Sequence, residues 1–389
     1  MKSKILYLKS WIILLAFVLS SCNKNQDSLN TSAISNSLRL EFKKNITLDI
    51  SGGYPKLIGS PLFLSDQDKS YFYIPTGEGI GTFDLTTGGP PISNLKLSDI
   101  PNFMGSTTVG QNHFFPYSSN GFLYFDRSND EILVLDNGEV SKSQKLSKII
   151  DTNPKPNSGI LKFAAFQKDL VTVLNMLEVY AKPPFQYLTS ENSIGKIEFD
   201  DSKMQMYMPL PEKYLGKGVN VYDLFISMDY DQKNEEYIIN FPVLDYLLVT
   251  KDFKSFREIS ATPKENFVKM ENRSGVKMGE WRKEYYTDNS FFTVYYDPYR
   301  ELYIRHYRNG LSETDFESLL LNSYKMLNVK NNNMLMFLNK EGKILHTEDV
   351  SEFNHLYIHF GKEGMYILND TKLEDEDSLT FSLFEIKLD

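Results

Sequence analysis

Short runs alternating apolar and polar residues, turn residues between them, and a recurrence roughly every 40 to 60 residues predict an all-β chain folded as a single β-propeller. Six four-stranded blades are expected, or seven if one unit hides two. The clearest strands are Tyr71-Phe-Tyr-Ile74, Gly121-Phe-Leu-Tyr-Phe125, Glu131-Ile-Leu-Val-Leu135, Tyr237-Ile-Ile-Asn-Phe241 and Leu302-Tyr-Ile-Arg-His-Tyr307. The 24 Tyr and 27 Phe suit such strands, because aromatic side chains pack well on a pleated surface.

The units follow in order. The first runs from about Ser60 to Leu97, the second from Gly110 to Leu146 and the third from Ile160 to Leu210. The fourth covers Val221 to Ile259. The fifth covers Ser290 to Val350, with an insertion around Leu311 to Lys325. Asp136-Asn137-Gly138 and Lys340-Glu-Gly-Lys343 read as tight hairpin turns, and Asp297-Pro298-Tyr299-Arg300 places Pro where its fixed φ helps. The sixth unit, from Phe353 to Leu388, lacks an outer strand. The alternating segment Leu38 to Ile50 is suited to supply it, so that both termini close the ring. Helix signal is confined to Pro263 to Lys269 and Glu313 to Leu321. A pair of packed β-sandwiches is the competing all-β arrangement.

The N-terminus carries a different pattern. Lys2, Lys4 and Lys9 precede or flank an apolar run from Trp11 to Leu19, and Leu19-Ser-Ser-Cys22 follows. This is the layout of a secretory signal, and the last four residues resemble the lipobox of bacterial lipoproteins. The resemblance implies cleavage before Cys22 and acylation of its thiol. The apolar run is too short to span a bilayer, which needs roughly 20 residues. Residues 1–21 are therefore expected to be a lipoprotein signal peptide, 22–37 a flexible polar tether, and 38–389 the propeller. The expected location is the cell envelope, at the outer membrane, with the facing side open.

Cys22 is the only cysteine, so disulfides and cysteine-ligated metals are excluded from the mature domain. Cleavage removes Lys2, Lys4 and Lys9 from the 42 basic residues, leaving 39 against 51 acidic ones, a net charge of −12. Such a chain is a poor partner for nucleic acid, whose phosphates need Lys and Arg.

Three features carry a resemblance to a known family: the lipobox, Ile226-Ser-Met-Asp-Tyr-Asp231 leading into Tyr237-Ile-Ile-Asn-Phe-Pro242, and Val294-Tyr-Tyr-Asp-Pro-Tyr-Arg300 followed by Tyr303-Ile-Arg305. Over most of the mature chain the sequence resembles the six-bladed β-propeller lipoproteins of the Bacteroidetes and their DUF4221-like relatives. Those features are strand-and-turn patterns. The resemblance implies an architecture and no particular activity.

Signatures of chemistry are sparse. There is no Gly-x-Ser-x-Gly elbow and no P-loop, and Gly77-Glu-Gly79-Ile-Gly81 has its third glycine too close for a dinucleotide fingerprint. It reads as a flexible turn. His355 and His359 would sit roughly 13 Å apart along a strand, too far to share a metal. Asp229-Tyr-Asp231-Gln-Lys-Asn234 has the start of a calcium loop without its glycine or distal glutamate, and reads as a polar hairpin tip. No metal and no cofactor is expected.

Two groups of residues are candidate ligand contacts. Arg300, Tyr303 and Arg305 could hold a carboxylate, phosphate or sugar by forked hydrogen bonds and stacking; the alternative is that Arg300 and Arg305 tie neighbouring blades together by pairing with Asp or Glu. Trp281 and Arg282 lie in the long connection between units four and five, a place suited to a ligand face or to a loop packed over the ring. The functional expectation is a membrane-anchored lipoprotein that binds a protein or glycan partner without catalysis. A hydrolase or lyase with its site at the channel mouth is the second reading, because fold alone does not decide between them.

Overall fold

Twenty-four strands pair antiparallel into six four-stranded sheets among the described residues. The computed structural model describes residues 37–55, 61–66, 68–101, 103, 114–126, 129, 131–145, 162–166, 169–173, 192–198, 203–209, 211, 226–263, 283, 286–321, 332–369 and 375–389. Sheet one holds β2 (Leu62–Asp66), β3 (Lys69–Pro75), β4 (Gly79–Asp84) and β5 (Ser93–Lys96). Sheet two holds β6 (Phe114–Ser118), β7 (Gly121–Asp126), β8 (Glu131–Asp136) and β9 (Glu139–Lys145). Sheet three holds β10 (Lys162–Phe166), β11 (Asp169–Val173), β12 (Asn192–Glu198) and β13 (Lys203–Pro209). Sheet four holds β14 (Ser227–Asp231), β15 (Glu236–Asn240), β16 (Tyr246–Thr250) and β17 (Arg257–Ser260). Sheet five holds β18 (Ser290–Asp297), β19 (Leu302–Asn309), β20 (Asn332–Leu338) and β21 (Ile344–Asp349), with helix α1 (Glu313–Leu321) between β19 and β20.

These five sheets are blades of consecutive strands. The remaining sheet is composite, in the order β1-β24-β23-β22, where β1 is Leu38–Asp49, β22 Asn354–Gly361, β23 Gly364–Leu368 and β24 Ser378–Leu388. The first strands of the sheets are neighbours around a common axis: β2 touches β6 and β22, β6 touches β10, and β18 touches β14 and β22. The chain is therefore an all-β propeller, as the alternating pattern predicts. The fifth unit forms one sheet with a helical insertion, and the helix covers Glu313 to Leu321 as expected. The other helix signal, from Pro263 to Lys269, falls largely outside the described residues.

The second and third strands β3, β4, β7 and β19 are buried on both faces. Their alternation sorts side chains between two neighbours and not between core and water. In β19, Leu302 and Ile304 pack toward the composite sheet with Ile358, Phe360 and Ile367. Tyr303 and Tyr307 pack toward sheet four with Ile238, Leu247 and Val249. The outer strands β5, β9, β17 and β21 are short or polar and exposed, which guards the free edges against pairing with other chains.

Antiparallel connectivity gives the ring two unlike ends. The turns after first strands meet at one end, the turn end. There Ser119 N donates to Asp66 Oδ2 at 3.2 Å, Lys362 pairs with Asp68 at 2.7 Å, and Lys233 pairs with Glu301. The turns between third and fourth strands share this end, since Lys340 reaches Asp231 Oδ2 at 3.1 Å. Tight backbone geometry serves them: Asn137 and Gly138 have φ of 52° and 80°, as a two-residue hairpin requires. Connections 97–113, 146–161, 210–226, 261–289 and 310–331 leave from the opposite end, the loop end.

Gly79 and Gly81 lie inside β4 and not in a flexible turn. A Cβ on Gly81 would stand 2.3 Å from the Tyr54 ring, which packs edge-on against Phe83 at 5.2 Å.

Ring closure rests on β1. Eleven residue pairs register it against β24, from Leu38 opposite Leu388 to Asp49 opposite Ser378, with a bulge between Phe42 and Lys44. Ile46 and Leu48 then join one core with Phe381 and Leu383 of the composite sheet and Phe72 and Phe83 of sheet one. Leu48→Ala removes a fully buried side chain from this seam and is expected to cost about 3 kcal/mol. In urea denaturation the midpoint falls with the slope unchanged.

Candidate functional site

The β18–β19 hairpin was the strongest candidate in the sequence, and its polar side chains face protein. Asp297 ends β18 fully buried, and its carboxylate accepts Tyr299 N at 2.9 Å, Arg300 N at 3.2 Å and Arg300 Nη1 at 2.9 Å. Burial pushes the Asp297 carboxyl up, with the Arg300 charge opposing. Arg300 then crosses to the composite sheet, where Nη1 donates to Gly361 O at 3.2 Å, Nη2 to Lys362 O at 2.9 Å and Nε to Ile386 O at 3.4 Å.

Arg305 is wholly inaccessible and crosses the other way, into sheet four. Nε donates to Asn240 Oδ1 at 2.8 Å, Nη1 to Ala261 O at 2.7 Å, and Nη2 to Leu244 O at 2.7 Å and Phe241 O at 3.3 Å. Its guanidinium carbon lies 3.2 Å from the centroid of the Phe291 ring. Tyr303 is equally buried, and Arg257 Nη2 lies 3.4 Å from its hydroxyl. The arginines therefore tie neighbouring blades, mainly through backbone carbonyls rather than through the Asp and Glu partners considered from the sequence. Trp281, Arg282 and Cys22 lie outside the described residues.

The first strands hold a group of polar side chains whose role in joining sheets has no signature in the sequence. Asp229 of β14 accepts Tyr296 N at 2.7 Å and Tyr230 N at 2.8 Å, and Ser227 Oγ accepts Val294 N at 3.1 Å. Sheet four thus satisfies the free backbone edge of β18. Burial pushes the Asp229 carboxyl up to about 6 in spite of its two backbone bonds. Two residues on, Asp231 is also buried, yet bonds from Asn234 and Lys340 help to outweigh desolvation and lower its carboxyl. The hairpin-tip reading holds for Asp231 to Asn234, where Asp231 accepts Lys233 N at 3.0 Å and Asn234 Nδ2 at 2.6 Å, but not for Asp229, which lies inside β14 and joins it to β18.

Three histidines line up with these strands. His306 Nε2 lies 3.0 Å from Asn333 Oδ1, and its ring centroid lies 5.2 Å from Phe292 and 5.1 Å from His355. His359 shares a 3.0 Å hydrogen bond with Ser65 Oγ and stacks on Phe63 at 5.1 Å, linking the composite sheet to sheet one. Burial holds His306 and His359 down at about 3. It holds His355 at about 4, with the Arg308 charge adding to the effect. His355 and His359 contact different partners, and no group of three or more His, Cys, Asp or Glu able to hold a metal occurs among the described residues. The pairing of His306 with His355 joins β19 to β22 and has no signature in local sequence.

At neutral pH these histidines are uncharged. Between about pH 6.5 and 4 the unfolded chain takes up protons that the folded protein refuses at all three. Their contribution is complete above that window and lost as pH falls through it, at most about 1.4 kcal/mol per unit for each. Asp229 acts in the opposite sense between its ordinary value and about 6, because the folded state favours its protonated form. Asp297, whose carboxyl burial also raises, acts in the same sense as Asp229; three groups outweigh two, so Tm falls on acidification from pH 6.5 to 4, and His359→Gln flattens that slope. Arg305→Met takes the guanidinium donors from Asn240 Oδ1, Ala261 O and Leu244 O, while Phe241 O keeps Leu244 N. It is expected to cost about 3 kcal/mol or more in equilibrium unfolding.

No protein-family model matches the chain, and no curated protein sequence matches it. No helix among the described residues is long and apolar enough to cross a membrane. Solved structures do resemble it. A candidate exported protein of Bacteroides fragilis is 9% identical, with a TM-score of 0.51 over 93% of this chain and 97% of that one. A member of the DUF4221 family from Bacteroides vulgatus is 17% identical, with a TM-score of 0.66 over 91% of this chain and 100% of that one. At these identities the likeness is one of fold: the chain shares the propeller architecture of these Bacteroides proteins.

Proposed function

We propose that this chain is a membrane-anchored extracytoplasmic lipoprotein whose propeller binds a protein or glycan partner at the cell envelope without turning it over. Cleavage before Cys22 and acylation of its thiol supply the anchor, and more than one acyl chain gives stable attachment where a single chain is marginal. Residues 22–37 act as the tether, and the outer membrane is the expected site. The ring is read as six blades, five of consecutive strands and one closed by β1.

The observation that carries the binding reading is where the reactive side chains go. Arg300, Arg305, Tyr303 and His359 are spent on holding sheets together. The long connections leave their strands at the loop end, and loops carried on a rigid scaffold are where recognition surfaces are built. Arg300, Tyr303 and Arg305 thereby act as fasteners behind a ligand face and not as its contacts, while Trp281 and Arg282 keep their place as candidate contacts on it. The strongly acidic mature chain argues against nucleic acid.

A hydrolase or lyase is the second reading, favoured by one feature. His355 is half-buried near the start of β22, at the loop end, with its ring beside His306 and close to Arg308. A neutral imidazole there could move a proton at the channel mouth.

Pulldown of the lipidated protein from its own envelope is expected to recover a stable protein or glycan partner, and recovery of none counts against binding. Cys22→Ala is expected to abolish flotation with membranes; a variant that still floats removes the anchor from the account. Turnover of an ester or glycan that is lost in a folded His355→Gln variant would favour the second reading.

A further inference from the structure

We infer that the turn end of the ring faces the membrane and the loop end faces away from it. This rests on the lipoprotein reading and adds an orientation to it. Ser37, the last residue before β1, lies beside the final residue of the chain. Asp389 N donates to Ser37 O at 2.9 Å, Ser37 Oγ lies 3.3 Å from Asp389 Oδ2, and Leu38 registers with Leu388.

That pair of chain ends occupies the position of the turn between third and fourth strands in the other blades. It belongs to the turn end on independent contacts. Arg300 reaches Ile386 O, near the end of β24, with the same guanidinium that reaches Gly361 O and Lys362 O in the turn after β22. Lys362 in turn pairs with Asp68 in the turn after β2. The start of β1 is therefore fixed to the laced belt of turns, while the long connections leave from the other end of the same strands.

The distances make this an orientation and not merely an attachment point. From Cys22 to Ser37 the chain spans at most about 50 Å fully extended, and about 20 Å on average if it behaves as a coil. A domain of this size has a radius of gyration of about 20 Å. The two ends of the ring are about one strand length apart, roughly 20 Å, so a tether of that average span holds the end it joins nearer the bilayer than the other. The near end stays within reach of the headgroups, and the loop end projects into the compartment where a partner would be met.

The test uses the full-length lipidated protein in phosphatidylethanolamine and phosphatidylglycerol vesicles carrying a headgroup energy-transfer acceptor. Glu341→Cys places a single label at the turn end, in the exposed turn between β20 and β21. Glu376→Cys places it at the loop end, in the exposed connection between β23 and β24. The Cys22 thiol is blocked by its acyl group and does not compete. Severalfold greater transfer from the label at 341 than from the label at 376 is expected. Equal or reversed transfer in protein that floats with the vesicles and carries the acyl mass overturns the orientation and leaves the anchor standing. Protein that carries no acyl group and does not float overturns the anchor, and the orientation with it.

Discussion

The rest of the structure depends on the pairing of β1 with β24. A ring of sheets that bury both faces against their neighbours has no stable open form: the first and last blades would each expose a face meant for the other. Here that gap is closed by a strand from the N-terminus completing a sheet built from the C-terminus. The seam is apolar where it matters, with Ile46 and Leu48 buried between Phe381 and Phe72. Its outer edge is blunted by a bulge and by Lys43, Lys44 and Glu41. Asp49 N and Gly89 N exchange hydrogen bonds with Gly89 O and Thr47 O, so β1 is also stitched to sheet one.

Polar side chains do a second kind of holding. The first strand of each blade has a free backbone edge that lies in the interior of the ring, and a buried unpaired amide is costly. Ser227 and Asp229 meet that need for β18. Arg305 does the equivalent for carbonyls at the end of sheet four, with a planar fork that reaches four acceptors at once. Arg300 does so at the turn end. These ties explain why charged residues occur in the middle of strands that otherwise read as apolar, and why the histidines are held neutral by burial.

The repeating fold was legible because each blade writes its own local pattern: alternating strands and turns such as Asp136-Asn-Gly138. The missing outer strand of the last unit was legible too, since the segment from Leu38 alternates and has no other partner. The site was not. Alternation along β19 puts Arg305 and Tyr303 on one face and Leu302 and Ile304 on the other, but it carries no information on what each face meets. Both faces meet protein. The carbonyls of Phe241, Leu244 and Ala261 that bind Arg305 lie about sixty residues or fewer away in sequence yet belong to another blade, and backbone acceptors leave no mark in side-chain identity. The contacts of His306 with His355 and of His359 with Ser65 are equally non-local.

The measurement that bears most directly on closure is native-state amide hydrogen exchange across β1. If the N-terminal strand holds the ring shut, its paired amides between Leu40 and Leu48 exchange only through global unfolding, with the same free energy and denaturant dependence as those of β3 and β19. Exchange of β1 through local opening, at a free energy well below that of the inner strands, would contradict the account.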